Sequence, residues 1–77
     1  MSYSPKLKKP ALMTFPEAVR EMLNYHAVAR VEWPDGEHVR IRDGWMMIYT
    51  NGDWHTWIIH STDARASDWI VIDAELV

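Results

Sequence analysis

Few residues of this 77-residue chain could carry nucleophilic or metal chemistry. Cysteine is absent, so neither a thiolate nucleophile nor a thiolate metal site can form. His60, Ser61 and Asp63 are close in sequence, but neighbours in sequence rarely form a catalytic triad, and no serine lies in a nucleophile-elbow motif. The histidines lack the paired spacing of metal ligands. We therefore expect no catalytic residues, no metal and no cofactor, and predict that the protein is not an enzyme.

Aromatic rings and arginines favour binding over catalysis. The chain has five tryptophans, and a domain this small is not expected to enclose all of them. At least one is therefore predicted to lie at an interface or against a ligand, where a rigid ring gives a large contact area. The tryptophans are Trp33, Trp45, Trp54, Trp57 and Trp69.

Arg30 and Asp63 each allow two interpretations. Arg30 either forms a salt bridge, to Glu17 or Glu32, or contacts a phosphate or base. Asp63 either lies in the first turn of a short helix or, with Ser61 and Thr62, presents polar groups to a sugar or base.

One helix is predicted near the start of the chain. Thr14-Phe15-Pro16-Glu17 fits a capping box, and proline is favoured in a first turn. An apolar stripe with helical spacing follows, and Asn24 is a C-terminal stop signal. The stripe comprises Phe15, Ala18, Val19, Met22 and Leu23.

The remaining sequence predicts a β-meander. Asp35-Gly36, Asp43-Gly44 and Asn51-Gly52 recur every eight residues, and each is a two-residue hairpin signal. We expect strands at 27–34, 37–42, 45–50 and 53–59, a helical turn at 61–66 and a last strand at 68–73. The predicted fold is α+β, an antiparallel meander of about five strands packed on one N-terminal helix.

Two-residue turns would fix the strand register and hence the two faces of the sheet. Trp33 would then lie opposite His38, Arg42 opposite Trp45, and Tyr49 opposite Trp54. The helix would cover a face formed by Val28, Val39, Ile41, Met46, Ile48, Trp57 and Ile59. The other face would hold Val31, Trp33, His38, Arg40, Arg42, Trp45, Met47, Tyr49, Trp54 and Ile58. Because this second face mixes arginines with aromatic rings, it is interpreted as a subunit interface or a ligand platform.

Length and charge limit the partners. We predict a flexible basic arm at 1–13 and a single domain at 14–77. The net charge of −3 argues against DNA or RNA as a partner, and the longest apolar run is too short for a membrane span. A cytoplasmic location is expected. A core this small favours self-association.

Two sets of spaced residues carry a resemblance to a known family. Phe15, Glu17, Ala18, Val19, Met22, Val28, Arg30 and Trp33 form the first set, and Trp57, Asp63, Ala66, Asp68 and Trp69 form the second. This pattern resembles the second type of Thoeris anti-defence protein, a small phage family, over roughly residues 14–72. The departures from the family are Tyr25 in place of glycine, Ile59 in place of proline, and His60-Ser61 in place of Ser/Thr-Gln. They suggest that the loop at 59–62 recognises a different nucleotide.

The resemblance implies a protein that captures a signalling nucleotide in the host bacterial cytoplasm. The family's ligand is a glycocyclic ADP-ribose, and some members bind cyclic dinucleotides. The family acts as a sponge that does not cleave its ligand, and its members are homotetramers (dimers of dimers) with pockets between protomers. Trp33 would stack on a base, and Trp57 and Asp63 would line the same pocket. The candidate ligand-binding residues are Arg30, Trp33, Trp45, Trp57, Ser61, Thr62 and Asp63.

Two alternatives remain for the side chains that would bind the pyrophosphate. They are Arg30 and the pair Arg40 and Arg42. The alternative function is a protein-interaction module that blocks a host protein through the face rich in tryptophan and arginine. A cyclic-nucleotide hydrolase is disfavoured, because the sequence supplies neither a nucleophile nor metal ligands.

Overall fold

The computed structural model describes residues 11–72. Residues 1–10 of the predicted arm and residues 73–77 of the predicted domain lie outside this part. The elements in chain order are α1 (Phe15–Leu23), β1 (Ala27–Arg30), β2 (His38–Arg42), β3 (Trp45–Thr50), β4 (Asp53–Thr56), α2 (Ser61–Arg65) and β5 (Trp69–Ile72). The strands form one five-stranded antiparallel sheet in the order β4-β3-β2-β1-β5. The predicted α+β class is confirmed. The sheet is not a simple meander, because β5 pairs with β1 rather than with β4.

Helix α1 begins with the predicted capping box. The Thr14 hydroxyl accepts a hydrogen bond from the Glu17 amide at 3.4 Å, and the Glu17 carboxylate accepts one from the Thr14 amide at 2.8 Å. These bonds satisfy amides that have no partner within the helix. Asn24 caps the other end. Ala18 and Met22 are fully buried, whereas Leu23 is exposed, so the buried stripe is narrower than predicted.

The helix-covered face of the sheet matches the prediction with one exception. The buried Ala18 and Met22 of α1 pack with residues of this face, together with Trp69 of β5. The face residues in this core are Val28, Val39, Ile41, Met46, Ile48 and Trp57. Ile59 is exposed, because β4 ends at Thr56 and strand alternation does not extend to residue 59.

The predicted register between the first two strands is wrong. β1 ends at Arg30, and Val28 lies opposite Val39. Trp33 leaves the strand because its amide donates to the Arg30 carbonyl at 3.0 Å. Pro34 has no amide to donate to a sheet ladder, so a longer connection replaces the two-residue hairpin. The Trp33 ring consequently packs against Trp57 and Trp69 on the helix side, not opposite His38.

The other two turns give the predicted register. Asp43-Gly44 and Asn51-Gly52 have positive φ at both positions, as a type I′ turn requires. Arg42 therefore lies opposite Trp45 and Tyr49 opposite Trp54. Within residues 11–72, no helix is long and apolar enough to cross a membrane.

Candidate ligand-binding site

One face of the sheet carries arginines and aromatic rings, and no described helix packs on it. Both helices lie on the opposite side, since α1 packs on the core and α2 contacts Arg30 and Trp69. We call this side of the sheet the open face, because no described helix packs on it, although Ala27, Ala29 and His38 on it are buried. The strand register assigns to it Ala27, Ala29, His38, Arg40, Arg42, Trp45, Met47, Tyr49, Trp54, Thr56, Ile70 and Ile72.

The open face contains a cavity of about 410 Å³, lined by Arg40, Ile41, Arg42, Tyr49 and Trp54. The Tyr49 and Trp54 ring centroids are 5.2 Å apart, and the Arg42 guanidinium carbon lies 4.4 Å from the Trp54 ring centroid. Among residues 11–72, no carboxylate lies within salt-bridge distance of Arg40 or Arg42. With respect to the described residues, two guanidinium groups are thus available to an anion, with aromatic surface beside them.

His38 supports the two rings of this cavity from within the protein. It is fully buried, and its ring stacks on Tyr49 at 5.4 Å and meets Trp54 edge to face at 5.2 Å. Its Nδ1 lies 2.8 Å from the Gly36 carbonyl oxygen. Because a carbonyl only accepts, Nδ1 carries the proton. Nε2 is buried and has no hydrogen-bond partner within the described part of the chain. His38 therefore restricts the positions of the rings that a ligand would contact.

On the helix side, Arg30 is surrounded by carboxylates. Its Nε donates to Asp68 at 2.8 Å, and its Nη1 lies 3.0 Å from Asp63 and 3.1 Å from Glu32. The hydrogen bond to Asp68 is the main reason that the pKa of Arg30 is raised, against the opposing effect of burial. The predicted salt bridge to Glu32 is confirmed. The predicted alternative, Glu17, instead bonds the Thr14 amide. Three carboxylates around one guanidinium leave an excess of negative charge, which does not attract a phosphate.

The predicted site residues divide between the two sides of the sheet. Trp45 lies on the open face opposite Arg42 and is 67% exposed. The helix side holds the others, namely Arg30, Trp33, Trp57, Ser61, Thr62 and Asp63.

Within the helix-side group, two pairs of residues are in contact. Asp63 contacts Arg30, and the Trp33 and Trp57 ring centroids are 6.4 Å apart. Trp57 is buried in the core. Ser61 and Thr62 are exposed in the first turn of α2.

None of the five residues that line the cavity is among the predicted ligand-binding residues, although Arg40 and Arg42 are the predicted alternative to Arg30 for the pyrophosphate. Two of the five carry aromatic rings. Tyr49 and Trp54 flank the Asn51-Gly52 turn, which makes them cross-strand neighbours. Their signal in the sequence is an aromatic pair at equal distances from a two-residue turn, on the face that also carries Arg40 and Arg42. In the described residues, no group of three or more histidines or carboxylates could hold a metal ion.

The fold and this site define a class of protein, a small α+β domain with helices on one face of its sheet and an arginine-aromatic face on which no described helix packs. A family model, the Thoeris anti-defense 2-like domain (Tad2-like), matches residues 13–72. The chain belongs to this family, which gives it a role in phage anti-defence. The resemblance inferred from the spaced residues is thereby confirmed. No match was found among curated proteins.

Proposed function

We propose that this protein binds and sequesters a bacterial immune signalling nucleotide of the glycocyclic ADP-ribose type, without cleaving it. Cyclic dinucleotides are the other ligand class that the family resemblance suggests. The observation that carries the proposal is the cavity on the open face. It combines Arg40 and Arg42, which have no carboxylate partner among residues 11–72, with the rings of Tyr49 and Trp54 in a chain of an anti-defence family.

The chemistry of the cavity suits a nucleotide. Guanidinium groups form charge-assisted, often bidentate, hydrogen bonds to phosphate oxygens. A base stacked on an aromatic ring gains roughly 1–3 kcal/mol. Arg40 and Arg42 are favoured over Arg30 for the phosphates, because Arg30 already donates to Asp63 and Asp68.

The helix-side residues would orient the neutral parts of the ligand. Ser61 and Thr62 offer exposed hydroxyls for sugar or base atoms, and Asp63 extends this polar group. Trp33 would stack on a base beside Trp57, and Trp45 would add aromatic surface next to Arg42.

A single ligand that contacts both the cavity on the open face and the helix-side residues must lie between two copies of the chain. Arg40 and Arg42 are on the open face, whereas Ser61 and Thr62 are on α2, on the opposite side of the sheet. One protomer therefore cannot close both groups around one small molecule. This geometry supports a homo-oligomer with pockets between protomers, and the resemblance suggests a tetramer built as a dimer of dimers.

Sequestration works by mass action and requires no turnover. When the protein exceeds the messenger in concentration and the Kd is about nanomolar, nearly all of the messenger is bound. The downstream effector then receives too little ligand to respond.

The test is to mix purified protein with glycocyclic ADP-ribose, remove unbound ligand, and release the bound fraction by heat. Recovery of intact ligand would support sequestration, and recovery of a product would indicate an enzyme. If no ligand is retained, and cyclic dinucleotides are not retained either, the proposal fails. A variant with both Arg40→Gln and Arg42→Gln is the control for specific binding, and it should retain much less ligand.

A second candidate function is the blocking of a host protein through the open face. It is favoured by Trp45, which is 67% exposed and lies opposite Arg42. This function would require a stoichiometric host partner that Trp45→Ala fails to retain, together with no uptake of nucleotide by the unaltered protein.

A further inference from the structure

Helix α2 depends on contacts from outside the helix for its position. It is only five residues long, none of its residues is buried, and its N-cap, His60, makes no side-chain capping bond. A single helical turn is unstable by itself, because fixing its backbone costs more than its few hydrogen bonds return. Something else must hold Ser61 and Thr62 in place.

Two hydrogen bonds to Asp63 supply this support. The Arg30 Nη1 lies 3.0 Å from the Asp63 carboxylate, and the Trp69 indole nitrogen donates to the Asp63 carbonyl at 3.1 Å. Arg30 and Trp69 lie opposite each other on β1 and β5. Trp69 is fully buried, and the Arg30 side chain is 11% exposed. The helix is therefore attached at Asp63 to two side chains that are themselves fixed.

Arg30 also holds the other end of the segment that joins α2 to β5. Its Nε donates to Asp68, the residue before β5, at 2.8 Å. One planar guanidinium thus bridges Asp63 and Asp68. A lysine carries the same charge but only one nitrogen, so it cannot reproduce this forked geometry.

We infer that Arg30 is a positioning residue, which fixes α2 on the sheet through Asp63 and Asp68 and so holds Ser61 and Thr62 ready for a ligand that Arg30 itself does not touch. The role of Arg30 in ligand uptake rests on the function proposed above, whereas its role in fixing the position of α2 does not. Two of the three Arg30 nitrogens already bond carboxylates.

The docking of α2 on the sheet and the affinity for the ligand should therefore change together. If a variant keeps α2 docked for only a fraction of the time, its Kd rises by the inverse of that fraction. Hydrogen exchange of the α2 amides and of the Trp69 indole measures the docked fraction independently. The amides of β3 provide an internal reference for global unfolding.

The experiment compares Arg30→Lys and Asp68→Ala with the unaltered protein and with Glu32→Gln. Arg30→Lys and Asp68→Ala should both speed exchange in α2 and raise the Kd for glycocyclic ADP-ribose by about threefold to tenfold, as docked fractions of roughly a third to a tenth imply. Glu32 contacts the same Arg30 nitrogen but is 65% exposed and lies outside the segment from α2 to β5. Glu32→Gln should therefore leave both quantities unchanged.

If Arg30 instead contacted a phosphate directly, Asp68→Ala would change the affinity in the opposite direction. Removal of the competing Asp68 carboxylate would then free the guanidinium, and Asp68→Ala would bind the ligand more tightly, which would overturn the inference. Unchanged α2 exchange in folded Arg30→Lys would also overturn it, whether or not any ligand binds. If the unaltered protein takes up no nucleotide, the proposed function fails, and the exchange data alone decide the role of Arg30.

Discussion

The Arg42 guanidinium lies over the Trp54 indole, with its central carbon 4.4 Å from the ring centroid. At a solvent-accessible site such a cation–π contact contributes roughly 0.5–1 kcal/mol. This is enough to favour one orientation of a long side chain, yet weaker than a charge-assisted bond to phosphate, which contributes about 1.5–3 kcal/mol. Arg42 is therefore partly preorganised beside the cavity and remains free to meet an anion.

Removal of the Arg42 charge should weaken nucleotide uptake without affecting the fold. Arg42→Gln loses a charge-assisted bond, so we expect the Kd for glycocyclic ADP-ribose to rise by roughly 10-fold to 100-fold, measured by calorimetry. Arg20→Gln is the matched control, because Arg20 is exposed on α1, on the other side of the sheet. An Arg42 variant with unaltered affinity would exclude this arginine from the site.

Substitution of a buried and an exposed tryptophan should have very different effects on the free energy of unfolding. Trp57 is 8% exposed within the core, so Trp57→Ala should lower the free energy of unfolding by about 3–5 kcal/mol. Trp45 is 67% exposed, and Trp45→Ala should change the stability of the isolated protomer by no more than roughly 0.5 kcal/mol. Urea unfolding followed by circular dichroism measures both. A large loss for Trp45→Ala would instead indicate that this ring is buried against another copy in solution.

The local features of the fold could be predicted because each depends on a few adjacent residues. The Thr14 and Glu17 capping box requires only a hydroxyl and a carboxylate three positions apart. The Asn51-Gly52 turn requires only two residues that tolerate positive φ. The pairing of Tyr49 with Trp54, and hence one wall of the cavity, follows from that turn.

The remaining features depend on contacts between distant parts of the chain. Asp35-Gly36 has the same composition as the Asp43-Gly44 turn. Pro34 and the hydrogen bond from the Trp33 amide to the Arg30 carbonyl nevertheless extend the connection, which moves Trp33 to the helix side. The pairing of β5 with β1 places Asp68 and Asp63 around Arg30. No local pattern in the sequence indicates which carboxylates an arginine will meet across that distance.

Tyr25 occupies a strained backbone position that glycine should relieve. Its φ is 65°, in the left-handed region just after α1, where a side chain with a Cβ atom is disfavoured and glycine is not. The resemblance described above implies that the family has glycine at this position, and the backbone angle supplies a physical reason for it. Because Tyr25 is 69% exposed, Tyr25→Gly loses little packing and should raise the free energy of unfolding by about 1 kcal/mol.

Thermal unfolding of the Tyr25→Gly variant measures this gain. Asn24→Gly is the control, since Asn24 has a φ of −94° and glycine relieves no strain there. That control should be neutral or slightly destabilised. If Tyr25→Gly were the less stable protein, the Tyr25 ring would have to contribute contacts that outweigh the backbone strain.

The separation of the two residue groups by the sheet predicts complementation between copies of the chain. Arg42→Gln impairs the open face and Thr62→Ala impairs α2, so each variant alone should bind glycocyclic ADP-ribose weakly. If every site combines the open face of one protomer with α2 of another, an equal mixture that is unfolded and refolded together assembles at random. About a quarter of its sites then have both groups intact, and the mixture should recover about a quarter of the unaltered binding capacity at full affinity.

The same variants refolded separately and then combined provide the control, provided that subunits do not exchange. If the co-refolded mixture binds no better than that control, the two groups do not form one site across a protomer boundary, and the ligand uses one face of the sheet alone.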